Sequence, residues 1–233
     1  YLHVRRPESP DPAPVILFFF GSGWWAGRTD QLAPYALHYV TRGFVCVLAE
    51  YRLRQRDGIE GPAQCLEDGR AAMRFLRENA RLFNILPDRI IVMGSSAGGH
   101  VALGLSVFPD PEFDTNPQFY LLTNPVVDTT HTGYTGYIKD WPDDKKRAIS
   151  PIHHLRPGLP PAVILHSVID RAVPYENVTR FQAETKKLGN RCMLYTFGGL
   201  PHGFCVNRPN LVPGIIKMIE PHVLSFRDGE SGL

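Results

Sequence analysis

Short, nearly unbroken apolar runs alternate along this chain with stretches whose apolar positions recur every three or four residues. The runs at 15–20 (VILFFF), 44–50 (FVCVLAE), 90–94 (IIVMG), 120–127 (YLLTNPVV), 162–167 (AVILHS) and 192–197 (CMLYTF) are strand-length and rich in β-branched and aromatic residues. Between them, helical spacing predicts helices near 31–42, 62–81, 97–107, 175–188 and 210–226. The second is the clearest, with Cys65/Leu66, Gly69, Ala72/Met73 and Leu76 falling on one face. Strands without polar alternation are buried on both sides, so the pattern predicts a mostly parallel central sheet with helices on both faces. Functional residues of such sheets gather at the carboxyl ends of the strands. Residues 1–14 supply at most one short strand, Tyr1–Arg5, so the sheet is expected to be reduced at its amino-terminal edge. The segment 108–160, crowded with Pro, Asp and His, reads as loops around one strand, either a small cap over the site or a surface excursion.

Composition changes this picture little. A chain of 233 residues, 43% hydrophobic and 21% charged, suits one folded domain spanning 1–233. A net charge of +2 with no basic block gives no reason to expect nucleic acid as a partner. The longest apolar run, Val15–Phe20, is too short to span a bilayer. The chain opens at Tyr1 with no basic-then-apolar leader. It is therefore expected to be a fragment, a processed form or a trimmed one, soluble in the cytoplasm or outside it after loss of a signal. Cys46, Cys65, Cys192 and Cys205 show no metal-ligand spacing and read as free, buried thiols. A Cys192–Cys205 disulfide stays open for an exported protein.

The chemistry is concentrated at Ile90–Ile91–Val92–Met93–Gly94–Ser95–Ser96–Ala97–Gly98–Gly99–His100. A strand that runs into Gly-x-Ser-x-Gly and then into a helix lifts a serine hydroxyl clear of the sheet on a sharp turn. The start of that helix aims unpaired N–H groups at the same place, Ala97 N–H among them. A serine needs a base, and the base a group that orients it. His202 lies in a glycine-rich loop, 198–204, just past the last strand run, where it can lean over Ser96. His100 sits a helical turn beyond the serine and reads as structural. His166 reads as a loop-fixing hydrogen bonder, and His153, His154 and His222 as surface or cap residues. Asp170, in the loop after the 162–167 strand, gives the chain order Ser96, Asp170, His202. Asp128, after the 120–127 strand, is the rival acid and otherwise a turn cap. A second source of oxyanion donors is the glycine-rich Phe20–Gly21–Ser22–Gly23–Trp24–Trp25–Ala26–Gly27, directly after the first strong strand.

These residues together resemble the α/β-hydrolase fold esterases of the hormone-sensitive-lipase and acetyl-xylan/feruloyl-esterase-like groups. Phe20–Gly21–Ser22–Gly23–Trp24 is similar to their His-Gly-Gly-Gly-Trp loop, and Glu50–Tyr51–Arg52–Leu53 to their Asp/Glu-Tyr-Arg-Leu segment. Pro87–Asp88–Arg89–Ile90 with Gly94–His100 is similar to their elbow signature. His166–Asp170 and Pro201–Phe204 are similar to their His-Gly-x-x-Asp and His-Gly-Phe segments. The resemblance implies Ser96 as nucleophile, His202 as base and Asp170 as its orienting acid. It implies the N–H groups of Ser22, Gly23 and Ala97 as the oxyanion hole, and hydrolysis of short-acyl esters, including acetylated carbohydrates, without metal or cofactor. The chain departs from the family pattern at Phe20, which cannot make a loop histidine's hydrogen bonds, and at Ser22 and Ser167, where the family has glycine. Trp24 and Trp25 beside the loop are candidate substrate contacts, with Trp141 a weaker one. Two other readings stay open. One is a hydrolase-fold binding protein that lost activity with its loop. The other is a serine peptidase of prolyl-oligopeptidase type, for whose gating domain 233 residues leave no room.

Overall fold

The computed structural model describes residues 1–230 and 232–233. The apolar runs form β1 (Leu2–Arg5), β2 (Ala13–Phe19), β3 (Val45–Ala49), β4 (Ile85–Ser95), β5 (Phe119–Thr123), β6 (Ala162–Ser167) and β7 (Cys192–Phe197). They lie in one sheet in the order β1-β3-β2-β4-β5-β6-β7. Among the described residues β1 pairs antiparallel with β3 and every other pairing is parallel. Parallel neighbours need crossover connections. These carry α1 (Ala33–Val40) before β3; α2 (Arg54–Asp57), α3 (Pro62–Glu78) and α4 (Ala80–Phe83) before β4; α5 (Ala97–Val107) before β5; α6 (Asp143–Ala148) before β6; and α7 (Tyr175–Lys187) before β7. α8 (Phe204–Asn207) and α9 (Val212–Arg227) close the chain. α3 packs on α5, and α1 on α9.

Strands β2 to β6 are buried almost throughout, as their unbroken apolar sequences require. α5 is buried along its whole length, because Ala-Gly-Gly-His-Val-Ala-Leu-Gly-Leu-Ser-Val has no polar stripe to offer water. Full burial of Val101, Leu103 and Leu105 contributes about 2 kcal/mol apiece. Gly98 is where this helix meets β2 most closely. A Cβ there would stand 2.1 Å from the Phe19 carbonyl oxygen and 2.3 Å from that of Phe20, so only glycine lets the helix start so near the sheet.

Several element boundaries differ from the sequence reading: β4 begins at Ile85, ahead of the expected 90–94, and the helix expected near 31–42 is a 3-10 turn, Thr29–Leu32, followed by α1. The strand expected over 120–127 ends at Thr123, because Asn124 adopts a left-handed φ of 46° and Pro125 follows with no N–H to donate. The helix expected over 62–81 breaks at Asn79 into α3 and α4. Segment 108–160 holds β5, α6 and two 3-10 turns, at Gly136–Ile138 and Pro151–His153. Its Ile138 and Ile149 pack against Leu66 of α3, with Phe108, Tyr137 and Trp141 around them. Among the described residues no helix is long and apolar enough to cross a membrane.

Candidate active site

The carboxyl ends of β4, β5, β6 and β7 converge on a small cavity of about 240 Å³, and Ser96 stands in its wall. Ser96 links β4 to α5 with φ 52° and ψ −118°, a conformation costing a non-glycine residue roughly 1–3 kcal/mol. Backbone bonds impose it. The Ser96 N–H donates to the Thr123 carbonyl at 2.9 Å. The Ser96 carbonyl accepts from Gly99 at 2.9 Å, Val126 at 3.1 Å and His100 at 3.2 Å. The turn carries the Ser96 side chain to the cavity wall.

The loop after β7 brings His202 to it. His202 Nε2 lies 2.9 Å from Ser96 Oγ, and Nδ1 lies 2.7 Å from Asp170 Oδ2. A carboxylate can only accept, so Nδ1 carries the proton and Nε2 offers its lone pair to the serine hydroxyl. The Asp170 side chain is fully shielded from water. Burial alone would push its carboxyl up, yet it is held below the ordinary carboxylate range by the bond from His202, that ring's charge when protonated, and the Val173 amide. Its Oδ1 accepts the Ala172 and Val173 amides at 2.9 Å each.

Three supports of this line carry no sequence signal of their own. Asn124 Nδ2 donates to Asp170 Oδ2 at 2.9 Å from the residue whose left-handed backbone ends β5. Ser167 Oγ donates to the Leu200 carbonyl, tying the acid-bearing loop to the base-bearing loop. Gln31 Oε1 accepts the Gly21 N–H at 2.6 Å and lines the cavity. His166 is the expected loop fixer. Its Nε2–H donates to the Val173 carbonyl at 3.0 Å, and burial pushes its pKa down, so the ring stays neutral.

The glycine-rich loop after β2 forms the opposite wall, with Gly21, Ser22 and Gly23 lining the cavity. Among the described residues the N–H groups of Ser22, Gly23 and Ala97 have no hydrogen-bond partner within the protein. Ala97 is the first residue of α5, so the helix offers its N–H no preceding carbonyl. Tyr134, from the irregular segment, closes the cavity. A Cβ built on Gly23 would lie 2.5 Å from its hydroxyl.

Trp24 is not placed as the expected substrate contact. Trp24 is fully buried, its ring edge-on to His100 at 5.1 Å and 5.4 Å from that of Tyr134, so it packs beneath the loop and does not line the cavity. Trp25 is half-exposed with its ring at 5.9 Å from Tyr137, also outside the lining. Trp141 packs over Gly61.

Asp128 is placed away from His202. Its Oδ1 accepts the Thr130 N–H at 2.8 Å, the Thr130 hydroxyl at 2.7 Å and the Ser150 hydroxyl at 3.2 Å. Its Oδ2 accepts from Thr132 at 3.0 Å and from Arg180. The Asp128 carbonyl takes the Tyr134 N–H at 2.9 Å. Asp128 therefore braces the loop that presents Tyr134. The four cysteines are buried as thiols, and burial pushes those of Cys65 and Cys192 up to about 12.

A larger groove, about 840 Å³, lies along β1 and α3 between Leu2, Val4, Arg52, Asp68 and Phe75. Its lining holds no serine, histidine or cysteine, whereas Ser96 and His202 line the smaller cavity. Among the described residues no group of three or more His, Cys, Asp or Glu side chains is arranged to hold a metal ion.

A parallel sheet with an elbow serine after its central strand, and with neighbouring strand ends that carry an acid and a histidine, is the architecture of an α/β-hydrolase. The BD-FAE family model matches residues 2–131, more than half of the chain, and the chain belongs to that family. It is 31% identical to Thermogutta terrifontis esterase 2 phosphonylated by sarin, with a TM-score of 0.88, covering 96% of this chain and 88% of that one. It is likewise 31% identical to that esterase with propionate bound, with a TM-score of 0.83, covering 98% of this chain and 89% of that one. An AB hydrolase superfamily protein of Schizosaccharomyces pombe is 36% identical over 59% of this chain and 41% of its own length. An acetylxylan esterase of Xylanibacter ruminicola is 29% identical over 70% of this chain and 35% of its own length. The chain thus spans well under half the length of these two curated relatives.

Proposed function

We propose that this chain is a serine carboxylic-ester hydrolase that cleaves short-acyl esters of polar alcohols, with acetylated carbohydrates as the substrate class. The observation that carries the reading is the hydrogen-bonded line from Asp170 through His202 to Ser96, ending beside three amides that have no partner among the described residues. His202 Nε2 takes the hydroxyl proton as Ser96 Oγ attacks the ester carbonyl. The oxygen that gains charge is received by the Ser22, Gly23 and Ala97 N–H groups, which need no reorganisation to meet it. The tetrahedral centre collapses, the C–O bond to the alcohol breaks, and His202 returns the proton to the leaving oxygen. Water then attacks the acyl-enzyme with His202 again as base, and the acid and free Ser96 are released. Asp170 keeps the imidazole in the tautomer this cycle requires and stabilises its charged form. Every proton and electron pair is handled by these side chains and water, so the cycle calls for no cofactor.

The size and lining of the cavity support the substrate side of the reading. A space of about 240 Å³ closed by Tyr134 fits an acyl group of a few carbons, and the amides of Gln31 and Asn207 in its rim suit a hydroxylated alcohol. Likeness to an esterase solved with propionate bound, and to an acetylxylan esterase, agrees with both halves. The test is hydrolysis of p-nitrophenyl esters from acetate to octanoate, wild type beside Ser96→Ala. Preference for acetate or propionate, abolished by Ser96→Ala, is expected, with acetylated xylo-oligosaccharides tried next. A wild type no faster than buffer would overturn the reading.

A further inference from the structure

The loop that resembles a His-Gly-Gly-Gly-Trp pattern carries phenylalanine at position 20 and serine at position 22. A phenyl ring makes no hydrogen bonds, so the loop after β2 must be held by other means. The structure shows them in detail. Tyr51, just past the end of β3, is fully buried and reaches under the loop, where its hydroxyl donates to the Phe20 carbonyl at 2.7 Å. A phenol has one proton. The 2.8 Å contact between Tyr51 Oη and Ser22 Oγ is therefore a bond from the Ser22 hydroxyl to the tyrosine oxygen. Ser22 Oγ in turn accepts the Trp24 N–H at 3.0 Å. The Phe20 ring stacks on the Tyr51 ring, with centroids at 4.5 Å and planes 17° apart. The relay runs Trp24 N–H to Ser22, Ser22 to Tyr51, Tyr51 to Phe20, each proton assigned and each end on loop backbone.

The remaining amides complete the argument. The Gly21 N–H goes to Gln31 Oε1, and the Trp25 and Ala26 N–H groups go to the Ser22 carbonyl at 3.1 and 3.4 Å. From Gly21 to Ala26, the amides left without a partner among the described residues are those of Ser22 and Gly23, and both residues line the cavity. We infer that Ser22 and Tyr51 are positioning residues, a hydroxyl relay that aims the Ser22 and Gly23 amides at the developing oxyanion in place of the displaced histidine. This inference rests on the esterase reading above. The relay's hydrogen bonds end on the loop's backbone, so its loss misplaces donors that act in the transition state.

The experiment compares wild type, Ser22→Ala, Ser22→Thr, Tyr51→Phe and the Ser22→Ala/Tyr51→Phe double variant on p-nitrophenyl acetate, with Ser96→Ala alongside and melting temperatures for all. Ser22→Ala and Tyr51→Phe are each expected to lose kcat by ~10- to 100-fold with KM within about twofold. The double variant should be no slower than the slower single, because the first change already opens the relay. Ser22→Thr, which keeps the hydroxyl, should recover most of the loss. Binding of a trifluoromethyl ketone, whose adduct with the serine places an oxyanion in the same hole, should weaken by the same factor as kcat. Wild-type kcat in Ser22→Ala, or a loss confined to KM, overturns the relay while leaving the esterase reading intact. Activity that survives Ser96→Ala overturns the esterase reading itself. If Tyr51→Phe fails to fold, the Ser22→Ala and Ser22→Thr pair still decides.

Discussion

Replacing Asp170 by Asn tests the centre of the proposed mechanism with a change of one atom. The hydrogen bonds around the carboxylate determine how the amide must sit. Oδ1 receives two backbone N–H groups, from Ala172 and Val173, so the amide oxygen stays there and the NH2 takes the place of Oδ2. That NH2 then faces two former donors, His202 Nδ1 and Asn124 Nδ2. Asn124 can answer by rotating its own amide, because its Oδ1 is buried with no partner. His202 can answer only by moving its proton to Nε2, which points it at Ser96 Oγ and removes the base. The variant is therefore expected to fold, with a stability loss of ~1–3 kcal/mol from imperfect pairing. Its kcat on p-nitrophenyl acetate should fall by ~10⁴-fold, which is about 5.5 kcal/mol of transition-state stabilisation. The assay is steady-state hydrolysis at pH 8, with circular dichroism and a urea melt to show that the chain is folded. A folded Asp170→Asn variant within tenfold of wild type would refute the assignment of the acid and with it the tautomer argument.

Other parts of the structure give further tests. Tyr134→Ala removes the wall over Gly23 and should raise the octanoate-to-acetate ratio of kcat/KM by ~10-fold or more in the p-nitrophenyl ester series; an unchanged chain-length profile would place the acyl group elsewhere. Asp128→Asn should lower stability by ~1–3 kcal/mol in a urea melt while kcat on acetate falls less than ~10-fold, since this carboxylate braces a loop and does not meet His202. Burial would raise the Asp128 carboxyl, but bonds from Thr130 and Thr132 and the Arg180 charge hold it below its ordinary value. Its stabilising contribution is thus present above the unfolded carboxylate pKa and is lost as pH falls through the folded one, a slope that melts at pH 5, 4 and 3 should show for wild type and not for Asp128→Asn. His100 behaves in the same direction for a different reason. Burial lowers its pKa from 6.5 to about 4, so the unfolded chain binds the extra proton between these values, and stability should fall by about 3 kcal/mol as pH drops from 6.5 to 4. His100→Gln should flatten that slope in urea melts at pH 7.5, 6 and 4.5.

Which parts of this molecule were legible in the sequence follows from the range of the forces involved. Burial on both faces of the sheet forces apolar runs at strand length, so the strands from 15–20 to 192–197 could be read locally, and the glycines around Ser96 mark a turn too tight for any side chain at Gly98. Asp170 and His202 were legible because strand ends meet at one edge of a parallel sheet, so a loop's place in the chain predicts its place in space. The boundaries that moved did so for local backbone reasons that the apolar pattern cannot register. The run 120–127 stays apolar past Thr123, yet Asn124 turns left-handed to put its amide on Asp170.

What lay beyond the sequence reading is what depends on contacts between distant segments. Trp24 looked like a substrate contact because it adjoins a glycine loop; whether its ring turns outward or down depends on His100 and Tyr134, 76 and 110 residues away. Phe20 and Ser22 looked like damage to the oxyanion loop when each was set against the family pattern alone. Together with Tyr51 they form a closed set of hydrogen bonds and a ring stack, in which the serine supplies both the acceptor for Trp24 and the donor for Tyr51. Two departures from a pattern that compensate one another in space are, read one at a time, indistinguishable from decay. The order of this loop therefore depends on the pairing of Phe20 with Ser22, and a chain with Phe at position 20 and glycine at 22 would lack the acceptor that holds the Trp24 N–H.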